Sequence, residues 1–270
     1  MNYLVNAVKY SIKNWMLIIP LFVLTALAAL IGGAGSALSL GTITSLANVS
    51  NYTDAGALFA LVPTLLASAV GGGIVAFIAP FIYQPATYGL VNKSLETGNA
   101  SINDVGAAIS TNFVKYIMYM VGQIVVWLVC GIPAFLLVLL CFWITSAIGG
   151  IGAVLLVIIM LAIILFFIVL GVLLSMWFAA MVIDGLDVVA AAKKSIEVVK
   201  GSFWIVLGIT LLVGIGASIA SAIIGAIVGW IPFIGRIIAA VVPAAQAFIM
   251  VVFSMMLYRE KTGRVNTSQL

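Results

Sequence analysis

The residues with chemical capacity crowd into one stretch: Asp184, Asp187, Lys193, Lys194, Glu197 and Lys200 all fall between positions 184 and 200. Asp184 and Asp187 flank Gly185 where an apolar run ends. Carboxylates there can cap the next helix and pair with Lys193 or Lys194, or they can face a cation or a lipid headgroup. Lys193, Lys194 and Lys200 can attract anionic headgroups, on the order of 1 kcal/mol per basic residue near a membrane surface. Elsewhere the inventory is thin. The chain has no histidine, the commonest metal ligand and general base. Cys130 and Cys141 share one apolar run, too far apart along a helix for a disulfide, and read as packing residues. No Asp, Glu, Lys or Arg lies near the middle of an apolar run. Ionisable groups at membrane depth mark proton relays and ion paths, so neither a proton-coupled pump nor an intramembrane protease is expected. Three amides, Gln84, Gln123 and Gln246, lie in or near apolar runs, as interhelical hydrogen bonds or as the lining of a polar cavity. No catalytic residue, metal site or cofactor is expected.

The elements that must position these residues are set by composition. Of 270 residues, 65% are hydrophobic and 7% charged, with mean hydropathy +1.36. A soluble domain carries about 25% charged residues. Apolar runs cover 16–31, 57–82, 116–142, 153–183, 203–231 and 237–258, and roughly 20 apolar residues cross the hydrocarbon core. They lack the strict alternation of a barrel. The expected fold is all-α: a single polytopic membrane domain over 1–270, with six transmembrane helices and three short amphipathic helices on the cytoplasmic side. Lys9 and Lys13 ahead of the first run resemble a signal peptide, but the run stays apolar past Ile31 and is read as a retained span.

Charge sets the orientation. Lys9, Lys13, Lys93, Lys115, Lys193, Lys194, Lys200, Arg259, Lys261 and Arg264 fall on one side of a six-span arrangement, and only Arg236 on the other. By the positive-inside rule both termini lie in the cytoplasm of a multi-pass cell-membrane protein. The net charge of +4 gathers at span ends, so no nucleic-acid partner is expected. The Asn48 and Asn51 sequons recur on the opposite side at Asn92, Asn99 and Asn266 and read as chance matches.

The amphipathic segments repeat. Asn2, Asn6, Lys9 and Lys13 share one face; Asp104, Ala108, Thr111 and Lys115 make a second stripe behind a capping box at Ser101 and Asp104; Lys193, Glu197 and Lys200 make a third, with Glu197–Lys200 at i, i+3. Asp104-Val-Gly-Ala-Ala108 echoes Asp187-Val-Val-Ala-Ala191, and Ala7-Val-Lys-Tyr-Ser-Ile12 echoes Ala191-Ala-Lys-Lys-Ser-Ile196. Gly98 and Gly263 close matching Thr-Gly pairs that can end helices. A threefold helix-hairpin repeat follows, over 1–100, 101–185 and 186–263. Prolines inside runs, such as Pro20, Pro85, Pro133 and Pro243, can kink their helices. Counted on from Ala57 to about Val91, the second apolar stretch would reach about 50 Å and must tilt, bend or project from the bilayer. In the fifth run, Gly214, Ser218 and Ala222, and Ser221, Gly225 and Gly229, are spaced for close helix contact. Packing within the chain is favoured there over a homodimer seam through Gly225 and Gly229.

The stretch Asp184-Gly-Leu-Asp through Lys200-Gly-Ser-Phe-Trp204 resembles a pattern in prokaryotic six-span proteins similar to the membrane domain of bacterial glycerophosphodiester phosphodiesterases and its free-standing relatives. Ala192, Ser195, Lys200, Gly201, Phe203 and Trp204 carry the likeness. It implies a fold and a membrane setting and no reaction, since the phosphodiesterase domain and every histidine are missing. The function expected is a non-enzymatic membrane module organising lipid, anionic lipid above all, or a membrane-protein partner at the cytoplasmic leaflet. The alternative is a small permease or channel with a path between the repeats.

Overall fold

The computed structural model describes residues 2–30, 77–148, 150–231 and 233–264. Most of the second apolar run, the Asn48 and Asn51 sequons and Asp54 lie outside them. Every regular element among the described residues is helical: α1 (Asn2–Lys13), α2 (19–30), α3 (77–97), α4 (Val105–Ile148), α5 (Gly150–Leu173), α6 (Trp177–Ile183), α7 (Val188–Lys200), α8 (Phe203–Val228), α9 (Ile234–Ala239) and α10 (Val241–Lys261). Among the described residues, four stretches are long and apolar enough to cross a membrane: Ile102–Thr145, Val154–Ile183, Phe203–Val228 and Ile234–Lys261. A fifth joins them if Tyr3–Lys13 and Trp15–Leu30, which meet at 88°, count as one broken span. Bare apolar flanks such as Leu128, Leu140, Leu165 and Ile219 suit lipid rather than water.

Some helix ends and breaks have local causes. Pro20 sits in the first turn of α2, where the missing N–H costs nothing. Pro243 cannot donate to the Ala239 carbonyl, and the ladder breaks at Ala240 between α9 and α10. Pro133 sits inside α4.

The amphipathic segments do not all stand apart as expected. α1 and α7 are separate helices, but the segment after Asp104 runs without interruption into α4, a single helix of 44 residues. The reason is in the sequence: no Gly or Pro lies between Ala107 and Val121, whereas Asn14 follows α1 and Gly201-Ser202 follows α7.

Residues 1–113 with 210–253 form one compact unit, and 114–209 with 254–270 form another. In the first, Ala7, Leu17, Leu21, Ala86, Leu90 and Phe248 are buried. A Cβ at Gly89 of α3 would stand 2.7 Å from both the Ala108 Cβ and the Asn112 Nδ2 of α4, so glycine permits that approach. Lys93 of α3 forms a 2.7 Å ion pair with Asp104, in the turn just ahead of α4. Ser101 donates its backbone N–H to Asp104 Oδ2 at 2.9 Å, the reciprocal arm of a capping box. No described heavy atom lies within 4 Å of a Cβ placed at Gly214, Gly216 or Gly225, so this small-residue face of α8 stands open among the described residues.

The second unit holds the most deeply buried apolar segment, Met176 to Met181. α6 is fixed to α4 by edge-on aromatic contacts, Tyr116–Phe178 at 5.2 Å and Tyr119–Trp177 at 5.4 Å, each worth about 0.5–1.5 kcal/mol beyond area burial.

Candidate functional site

α5 and α6 form one apolar span, but no proline or glycine explains their break at Leu174–Met176. The cause lies on α7. The Ser195 hydroxyl donates to the Leu173 carbonyl at 2.8 Å and accepts the Met176 N–H at 3.2 Å. It therefore replaces the backbone partners that the break removes, a side chain inserted into the helical ladder. Ser195 is wholly buried. One residue further on, the Trp177 indole N–H donates to the Val188 carbonyl at 2.7 Å. Two hydrogen-bonded contacts, at the first residue and in the middle of α7, thus lash it across the break.

The turn into α7 uses both aspartates structurally. Gly185 takes φ +66, the left-handed conformation that favours glycine. Asp187 is the N-cap of α7: its Oδ1 accepts the Ala190 N–H at 2.7 Å. Asp184 turns to the end of α10. It accepts a hydrogen bond from the Tyr258 hydroxyl and pairs through Oδ1 with Arg264 Nη2 at 2.7 Å. Tyr258 is wholly buried, and the Asp184 side chain is 14% exposed. α10 ends in a Schellman motif: Gly263, at φ +71, donates to the Glu260 carbonyl, and Arg264 donates to the Arg259 carbonyl. That reversal returns Arg264 towards Asp184, and its Nη1 reaches the Ile183 carbonyl at 3.4 Å.

Lys193 and Lys200 remain on the exposed face of α7, and Lys194 pairs with Glu197 at 3.1 Å. Glu197 takes Lys194 as partner where the spacing had pointed to Lys200, and Asp184 takes Arg264 where it had pointed to Lys193 or Lys194. Among the described residues, no three or more of His, Cys, Asp and Glu group as a metal site would require.

Gln123 donates to the Tyr119 hydroxyl one turn back on its own helix, at 3.0 Å. Gln84 on α3 and Gln246 on α10 are half-buried in the other unit. Beside α7 is a groove of about 520 Å³ walled by α4, Trp177 and the first turns of α7. A Cβ at Gly122 would stand 2.6 Å from Val188 and 2.8 Å from the Trp177 ring, so this glycine lets α4 approach the groove floor.

Sequence reasoning missed Tyr258, Arg264, Trp177 and the role of Ser195. The 74 positions between Tyr258 and Asp184 leave no local signal. Gly263 marked the turn that returns Arg264, and Ser195 lay in the amphipathic stretch between Asp184 and Trp204.

A family model described as "Domain of unknown function (DUF7847)" matches residues 16–258. No curated protein and no solved structure matches the chain.

Proposed function

We propose that this chain, which belongs to the family described as a domain of unknown function (DUF7847), is a non-enzymatic membrane module that organises anionic lipid, or a membrane protein carrying it, at the cytoplasmic leaflet. In this reading six spans cross the membrane, both termini are cytoplasmic, and α7 lies at the inner surface. The carrying observation is the division of charge on α7. Asp184, Asp187 and Glu197 are all engaged, by Arg264 and Tyr258, by the α7 backbone and by Lys194. Lys193 and Lys200 are left exposed, beside Trp204, which is 79% exposed and suits the membrane–water interface.

The proposed repeat draws support from equivalent packing. Its three units end near Gly98, Gly185 and Gly263, the described glycines with positive φ. At its aligned positions, Ala7 and Ala191 are both wholly buried, and Asn112 and Ser195 each pack against the helix before them. The likeness to the phosphodiesterase membrane domain stays part of the proposal. A permease path lined by glutamines draws no such support, because Gln123 bonds within its own helix.

The test is lipid selectivity in reconstituted vesicles, read as the motionally restricted fraction of spin-labelled phosphatidylglycerol against phosphatidylcholine. Replacing Lys193, Lys194 and Lys200 together by Gln removes two exposed cations and one paired one. At on the order of 1 kcal/mol per basic residue, preference for the anionic lipid falls by about tenfold or more. Unchanged preference defeats the reading.

A further inference from the structure

We infer that the groove between α4 and the α6–α7 turn is a binding site for one acyl chain of an anionic phospholipid, with its headgroup on Lys193 and Lys200. This deepens the proposed function and rests on it. The volume, about 520 Å³, falls within the usual range for small-ligand sites, about 300–1,000 Å³. The α4 wall runs from Ile117 to Val126, about 14 Å along the helix axis, so the groove is elongated in the direction of an acyl chain. The lining side chains, among them Val121, Val125, Trp177, Val189 and Ala192, are apolar. The one polar group of the Trp177 ring, its N–H, is already bonded to the Val188 carbonyl. A hydrated or polar occupant would find no partner there, and apolar cavities do not hold ordered water.

Charge selects the lipid class. Lys193 follows Ala192 directly and stands one turn on from Val189, and Lys200 repeats its position seven residues later. The cationic edge of α7 therefore borders the apolar wall. An acyl chain in the groove would bring its phosphate to these ammonium groups, while Asp187 and Glu197 are held by the Ala190 N–H and by Lys194.

The experiment is native mass spectrometry of the full chain in detergent, after delipidation and titration with dioleoylphosphatidylglycerol or dioleoylphosphatidylcholine. Wild type retains one phosphatidylglycerol in preference to phosphatidylcholine. Ala192→Trp and Val121→Trp, on opposite walls, each fill the groove and lower that retention by about tenfold or more. Each is first checked for a single monodisperse species, so that a misfolded variant on one wall leaves the other to decide. Lys193→Gln with Lys200→Gln removes the preference and keeps chain binding, so the two lipids are retained equally. Wild-type retention in a folded wall variant overturns the groove and leaves the lysine reading standing. Undiminished preference in the double lysine variant overturns that reading itself. Equal retention of both lipids by wild type assigns the groove to any phospholipid chain and overturns its anionic selectivity.

Discussion

Two segments, 104–115 and 187–200, begin with the same words, Asp-Val-x-Ala-Ala, and finish as different structures. Asp104 receives the Ser101 N–H and Asp187 caps with the Ala190 N–H, so both helices start on an acid. The first then continues through Lys115 into a membrane-length helix, whereas the second stops at Gly201 and lies across a break in the preceding span. Their equivalent polar residues part ways too. Asn112 bonds its own Ala108 carbonyl, while Ser195 bonds the freed backbone of Leu173 and Met176. The same amphipathic pattern thus gives a helix extension or an independent surface helix. What decides is the stop signal at its end and the polar atom it offers to the span beside it.

The largest expected effect comes from Ser195. Ser195→Ala removes the hydroxyl without adding bulk and leaves two buried backbone groups without partners, costing about 2–4 kcal/mol. The equivalent Asn112→Val loses one intrahelical bond and costs roughly 1 kcal/mol. Thermal unfolding in detergent measures both, and equal losses would break the comparison. Asp184→Asn comes next. It removes the ion pair to Arg264 and weakens the bond from Tyr258, at about 1–3 kcal/mol. Hydrogen exchange at the last turn of α10 should rise in this variant, while exchange at the start of α4 stays at the wild-type rate.

Asp187→Ala removes the α7 cap, about 1 kcal/mol, seen as roughly fivefold faster exchange at the Ala190 N–H. The smallest effect belongs to Lys93→Gln. Its ion pair with Asp104 is partly exposed, the Lys93 side chain at 48%, and surface pairs contribute about 0–1 kcal/mol. A loss matching that of Asp184→Asn would show that the two ion pairs are equivalent after all.

The helical class and several long apolar helices were readable from composition and run length, because lipid-facing surface must be apolar throughout. The caps were readable as well: Ser101, Asp104, Gly98 and Gly263 act locally, within a turn of the backbone groups they satisfy. The break at Leu174–Met176 was not, since its cause is a hydroxyl on another helix and no proline marks it. Nor was the pairing of Asp184 with Arg264 and Tyr258, which charge counting could not separate from pairing with the nearer lysines. The groove depends on Gly122 admitting Trp177 and Val188, a contact that spacing along one helix does not encode.

The proposed account places α7 at the membrane surface with its exposed lysines among lipid phosphates. The most direct measurement, in a chain with Cys130→Ala and Cys141→Ala, is the depth of a nitroxide at Val189→Cys, a position 62% exposed that leaves every lysine in place. In vesicles containing phosphatidylglycerol, power saturation should show the label open to oxygen and shielded from a water-soluble nickel chelate, at the boundary of headgroups and acyl chains. Free access by the chelate, with no gain from oxygen, would put α7 in bulk water and contradict the account.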